Sequence, residues 1–182
     1  MSRGLGDVYK RQLFHSFLAS QVTPYYDAAS RGGWLGLGLY HTRADMIRAL
    51  LEGCAHEMRM VVDAFQSDIK GGITDLRLTG GGTKSDGFAQ IMTDIIGQPT
   101  KVTRERECTV FGAAILGAFG SGAFSSIDEA VAAMVNVEGE FEPDQSTKDL
   151  YDEANGIYRG MYEAIANGGQ YTALSDFSSR YF

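Results

Sequence analysis

"LRLTGGGTKSDGFAQIMTDIIG" occupies Leu76 to Gly97. An apolar stretch ends in three consecutive glycines, and a second apolar stretch with helical spacing begins directly after them. A plain turn needs one or two glycines, so three indicate a backbone that must come close to something. Residues Ile73 to Gly80 read as a short buried strand. Phe88, Ile91, Met92, Ile95 and Ile96 mark a helix starting near Ser85, stopped by Gly97 and Pro99. The unit is strand, glycine loop, helix. In open α/β sheets ligands sit beyond the carboxyl ends of strands, and this loop occupies such an end.

The same reading extends in both directions. "WLGLGLY" (Trp34 to Tyr40) reads as a strand whose small residues allow close packing on one face. Thr42 is placed to cap a long helix, with Asp45 in its first turn. From Ala44 to about Gln66 the apolar stripe is Ile47, Leu50, Leu51, Cys54, Met58, Val61, Val62 and Phe65. Downstream, "TKVTR" is a short strand. "CTVFGAAILGAFGSG" is an Ala- and Gly-rich helix whose interior Gly112 and Gly117 suit close approach of another backbone. Ser125 or Ser126 caps "IDEAVAAMV", and "EGEFEPDQS" reads as loop. A last helix runs from about Thr147 to Ala166, with Leu150, Ala154, Ile157, Tyr158, Met161 and Ile165 on one side. Residues 168–182 read as a polar tail with aromatics. Strands alternating with helices make this an α/β protein.

Length and composition narrow the classes. The chain has 182 residues, 44% apolar and 21% charged, with a net charge of −7. That suits one domain with a real core. An acidic chain without a basic patch argues against nucleic acid as a partner. No run reaches membrane-spanning length and no signal peptide is visible, so a cytoplasmic protein without membrane contact is expected. Cys54 and Cys108 read as buried free thiols, and His15, His41 and His56 have no metal-ligand spacing. No metal site is therefore expected. "MSRGLGDVYKRQ" (residues 1–12) has no periodicity that continues past Gln12 and reads as a non-native leader. The native domain is then residues 13–167.

Two familiar phosphate loops fail against Gly80–Gly82. A P-loop needs G-x-x-x-x-G-K-[ST], and Lys84-Ser85 lacks the earlier glycine. The G-x-G-x-x-G fingerprint breaks at Ser85. A ligand-free strand-to-helix turn is the alternative reading of the loop alone.

Three segments in order change the balance. "RGGWLGLGLYHTRADMIRALLEG", "LTGGGTKSDGFAQIMTDIIGQP" and "CTVFGAAILGAFGSG" resemble the C-terminal half of the FGGY family of carbohydrate kinases. Gly32, Trp34, Gly36, Leu37, Asp45, Met46, Ala49, Leu50, Leu51 and Glu52 fill that family's C-terminal signature. The resemblance covers roughly Leu13 to Ile165 and is nearest to the family's xylulokinase members. "SQVTPYYD" departs from the family's usual "GERTPYWD", with Ser20, Gln21 and Val22 replacing Gly-Glu-Arg. Any contact made through those charged residues is in doubt here.

The resemblance implies a ribonuclease-H-like, actin/hexokinase-like domain with a mixed sheet flanked by helices. It implies the adenosine side of an ATP site built from Gly80, Gly81, Gly82, Thr83 and Asp86, with Gly82 against the nucleotide. Lys84 and Arg43 are candidates for a phosphate or cleft contact. It further implies ATP and Mg²⁺ as cofactors and a small sugar or polyol as substrate, D-xylulose or a related pentulose first. The catalytic base and sugar pocket belong to a preceding N-terminal domain, so no catalytic residue is assigned in this chain. Trp34 reads as core. Without the first domain, an uncovered helix face favours self-association, a homodimer included. A non-catalytic nucleotide-binding member of the actin-like superfamily, or a plain α/β interaction domain, are the alternatives.

Overall fold

The computed structural model describes residues 12–181. The leader reading falls on residues outside this range except for Gln12, which is buried. The elements run β1 (Leu13–His15), β2 (Gly33–Leu35), α1 (Arg43–Asp68), β3 (Arg77–Leu78), α2 (Asp86–Ile96) and β4 (Thr100–Thr103). They continue through α3 (Cys108–Gly120), α4 (Ile127–Met134), β5 (Val137–Phe141), α5 (Lys148–Asn167) and α6 (Gln170–Tyr181).

A mixed sheet has the order β3-β4-β5. β3 and β4 are parallel, joined by α2, with Arg77 opposite Lys101 and Leu78 opposite Val102. β5 is antiparallel to β4, and the register shifts between Val102 and Thr103. β1 and β2 form a separate antiparallel pair. The main core gathers Ala55 and Val62 of α1, Leu78, Ala89, Ile91, Met92, Ile95 and Ile96, Val102 and Tyr151. Parallel pairing requires such a covered face, because the connecting helix must pack back on the sheet. A second cluster joins Phe17, Met60, Tyr158, Tyr162 and Tyr171.

Local chemistry explains the helix boundaries. Thr42 and Asp45 form a reciprocal capping box at α1, satisfying two otherwise unbonded amides. Ser85 caps α2, and Gly97 closes it in the left-handed region at φ 77°. Ser126 caps α4.

Several expectations need correction. The strand read as Trp34–Tyr40 stops at Leu35, because Gly36 turns the chain at φ 80°. Trp34 is not core: it is 38% exposed, lying against Phe14 at 4.5 Å between ring centroids. The strand read as Ile73–Gly80 shrinks to Arg77–Leu78. The stretch read as loop contains β5, whose Glu-Gly-Glu sequence is poor in the usual strand formers. The tail is the helix α6, held through the buried Tyr171.

Cys108 is exposed and Cys54 half-buried, so neither is a buried core thiol. Gly112 and Gly117 have open space where a Cβ would go, and no other backbone packs on them among the described residues. Ile115 alone of α3 is buried, while Val110, Leu116 and Phe119 are exposed. Among the described residues, no helix is long and apolar enough to cross a membrane.

The helix faces also differ from the apolar stripes. α1 buries Ala49, Glu52, Gly53, Ala55, His56, Met60 and Val62, whereas Ile47, Met58 and Phe65 are half exposed. α5 buries Tyr151, Asn155, Tyr158 and Tyr162. Polar residues sit on these faces because the two helices satisfy each other. Tyr151 bonds Arg48 and Glu52, His56 meets Asn155, and Arg59 pairs with Asp152.

His15 is 1% exposed at the meeting point of β1, α5 and α6. Its Nε2 lies 3.1 Å from the Tyr158 carbonyl and its Nδ1 3.3 Å from the Tyr171 hydroxyl. With Nε2–H donating to the carbonyl, Nδ1 is left to accept from Tyr171. Burial lowers the His15 pKa, and the Tyr158 bond offsets this only in part. The unfolded chain therefore takes up a proton that the folded one refuses. The contribution of His15 to stability is full above its ordinary value of about 6.5 and is lost as pH falls through the folded value. The thermal midpoint is expected to drop between pH 7.5 and 5.5, and His15→Gln to drop less over that window. Equal drops would remove His15 from the account.

Candidate nucleotide site

The loop after β3 uses its three glycines for three separate reasons. Gly80 has φ 93° and ψ 174°, a region that essentially only glycine occupies. It turns the chain out of the strand into a single 3-10 turn over Gly81–Lys84. Thr83 N–H donates to the Gly80 carbonyl at 3.2 Å, and Ser85 N–H to the Gly82 carbonyl at 3.3 Å. At Gly82 an added Cβ would lie 2.9 Å from the Phe88 ring, so this glycine makes room for a side chain of α2. At Gly81 an added Cβ would meet nothing within 4 Å, and the residue is exposed. Gly81 is the bare position that leaves open space above the backbone.

The turn leads straight into α2. Ser85 accepts from Phe88 N–H, and the other first-turn amides have no partner within the helix. With the helix dipole they favour negative charge at this end. Asp86, the first residue of α2, is exposed there.

Thr83 is the only buried residue of the turn. Its hydroxyl donates to the Gly80 carbonyl at 2.8 Å and accepts from Arg106 Nη1 at 3.2 Å. The Thr83 side chain thus faces the protein. Lys84 is exposed at the end of the turn. Arg43 is the exposed first residue of α1. Neither the Lys84 nor the Arg43 side chain makes a hydrogen bond or ion pair among the described residues, and no contact draws Arg43 to the glycine loop.

On the other side of Thr79 a shallow apolar cavity of about 190 Å³ opens between the ends of β3 and β4 and the start of α3. Arg77, Thr79, Thr103, Cys108, Phe111 and Val135 are among its walls. Cys108 Sγ touches the Thr79 hydroxyl.

Arg106 escaped the sequence reading. It sits in the Arg104–Glu107 connector, where a charge carries no periodic signal. Its partner Glu138 lies on β5, the strand that the composition concealed.

A mixed sheet flanked by helices, with a glycine turn at the end of a strand of its parallel pair, fits the actin/hexokinase-like fold, to which the chain's structural neighbours belong. Residues 8–121 match the C-terminal domain of the FGGY family of carbohydrate kinases, and the chain belongs to that family. It is 34% identical over 153 residues to the xylulose kinase of Staphylococcus epidermidis, covering 83% of this chain and 30% of that protein. The xylulose kinase of Rhodospirillum rubrum superposes with a TM-score of 0.71 at 25% identity, covering 87% of this chain and 31% of the other. A Plasmodium falciparum glycerol kinase crystallised with ADP superposes with a TM-score of 0.65 at 25% identity, covering 83% and 30% respectively. The chain thus spans about a third of the length of its relatives.

Proposed function

We propose that residues 13–167 are the nucleotide-binding C-terminal domain of an ATP-dependent sugar or polyol kinase, with D-xylulose or a related pentulose as the first candidate substrate. The observation that carries this reading is the exposed turn running into the free amides of α2, where an added Cβ at Gly81 would meet no protein atom within 4 Å. A structural neighbour, a glycerol kinase, was crystallised with ADP, which supports a nucleotide as a ligand of the whole protein. Glycine loop and free helix amides suit phosphate oxygens, and Asp86, exposed as the first residue of α2, is the residue that the family resemblance directs to the adenosine.

In the reaction, the sugar hydroxyl oxygen bonds to the γ-phosphorus, the bond to the β–γ bridging oxygen breaks, and ADP leaves. The hydroxyl proton passes to a base that the family resemblance places in the preceding domain. The part supplied by this chain is to hold and orient the nucleotide. Among the described residues, no cluster of three or more His, Cys, Asp or Glu could hold a metal ion. No step is assigned to residues of this chain through Mg²⁺, which in phosphoryl transfer is held largely by the nucleotide's own phosphates.

The chain alone is expected to phosphorylate no sugar, while the full-length protein does so with ATP. A coupled assay over pentuloses, gluconate and glycerol tests this. Turnover by the isolated chain that a substitution within it abolishes would overturn the division of labour.

A further inference from the structure

We infer that Arg106 is a positioning residue for the nucleotide loop, holding the Gly80–Thr83 turn in its binding shape by tying Thr83 to the ends of β4 and β5. The inference rests on the nucleotide reading of that loop. Arg106 Nη1 donates to Thr83 Oγ1 at 3.2 Å and to the Thr103 carbonyl at 2.6 Å. Its Nη2 pairs with the Glu138 carboxylate. Thr103 ends β4 and is opposite Val137, so Glu138 follows directly in β5. One planar fork thus joins the loop to two strands.

The direction of these bonds matters. A guanidinium only donates, so the Thr83 oxygen must accept from it. The single hydroxyl proton is then committed to the Gly80 carbonyl, at 2.8 Å. That bond spans the turn and braces Gly80 in its glycine-only conformation. Besides this brace the turn has, among the described residues, only its two backbone bonds, from Thr83 N–H to Gly80 and from Ser85 N–H to Gly82, and the contact of Gly82 with Phe88. Gly80 and Gly81 carry no side chains, and nothing packs where their Cβ atoms would be. Three glycines lose much conformational freedom when a ligand orders them, and ordering them beforehand raises affinity. Thr83 at 2% exposure is the fixed point through which this can be done.

A lysine at 106 could reach one of these acceptors but could not span all three, because its charge sits at a single nitrogen. This separates bracing from simple attraction of phosphate by a positive charge.

The test uses the full-length protein carrying this chain. ATP affinity is measured with a fluorescent ATP analogue and by competition, alongside KM for sugar and the thermal midpoint. R106A is expected to weaken ATP binding about tenfold, as loss of a charge-assisted bond does, with the sugar KM unmoved. R106K should not restore it. T83V should lose a similar factor, and R106A should add little in the T83V background, because both remove one linkage. E138A, which leaves Arg106 in place, should weaken ATP binding in the same direction by a smaller factor. Unchanged ATP affinity in R106A overturns the inference even if the thermal midpoint falls. So does rescue by R106K, or full additivity with T83V. If R106A does not fold, E138A decides, and unchanged affinity there overturns it. Failure of the unmodified protein to bind any adenine nucleotide is a separate result, which removes the nucleotide reading of the loop itself.

Discussion

Gly81→Val in the full-length protein that carries this chain is expected to weaken ATP binding about thirtyfold, roughly 2 kcal/mol, with sugar affinity measured without nucleotide nearly unchanged. The valine would project into the open space above the turn, where no protein atom lies within 4 Å of a Cβ. Gly81 does not have a positive φ, so the backbone accepts the new side chain without strain. Any loss therefore reports on what occupies that space. The neighbouring glycines are poorer probes. A side chain at Gly80 is opposed by φ 93°. One at Gly82 would press on the Phe88 ring, which packs against the main core, and would mix stability with binding. ATP titration and the thermal midpoint of Gly81→Val are read together. An unchanged ATP affinity in a normally folded variant would refute the nucleotide reading of the loop. An equal loss of sugar affinity would mark the loop as structural.

Much of this fold was readable because its helices announce themselves. Thr42 with Asp45, Ser85 with Gly97, and Ser126 are capping chemistry that depends only on neighbours in sequence. The glycine loop was legible for the same reason, since a run of three glycines between an apolar strand and an apolar helix has few explanations. What escaped depended on distant partners. β5 is a strand because β4 pairs with it, not because Val137–Phe141 favours extended backbone. On the buried faces of α1 and α5, Glu52 and Tyr151, and His56 and Asn155, are tolerated because each finds its partner on the other helix, while Tyr158 and Tyr162 find Ser16 and Asp27. A hydrophobicity pattern cannot foresee a satisfied polar group. At the site, the positions that the family resemblance implied divide by orientation. Gly81 opens outward, Gly82 is filled by Phe88, and the Thr83 side chain is turned inward. The brace at Arg106 needed both β5 and the turn before it could be seen.

The same dependence on partners makes Gly53 a strong test of the packing. It lies mid-helix in α1, where glycine is about 1 kcal/mol worse than alanine on propensity alone. A reading from helix propensity expects Gly53→Ala to stabilise. The structure predicts the opposite. Gly53 is buried on the face that meets β1, and its built Cβ would intrude on the carbonyl oxygen of Phe14. The carbonyl carbon would lie at 3.1 Å and the ring Cδ1 at 3.3 Å. The obstacle is backbone of a strand paired with β2, so it cannot swing aside as a flexible side chain would. Overpacking of this kind costs about 1–3 kcal/mol and occasionally more, which exceeds the propensity gain. With the close contact to backbone setting the cost toward the upper end of that range, the expected net loss is about 1–2 kcal/mol, or about 2–8 °C in the thermal midpoint for a chain of this size. Gly160→Ala in α5 is the matched comparison, because it is exposed and nothing lies within 4 Å of its Cβ. It should gain roughly 0.5–1 kcal/mol. Opposite signs for the same substitution in two helices can come only from what each glycine faces. If Gly53→Ala is as stable as the unmodified protein, α1 does not pack on β1 as closely as described.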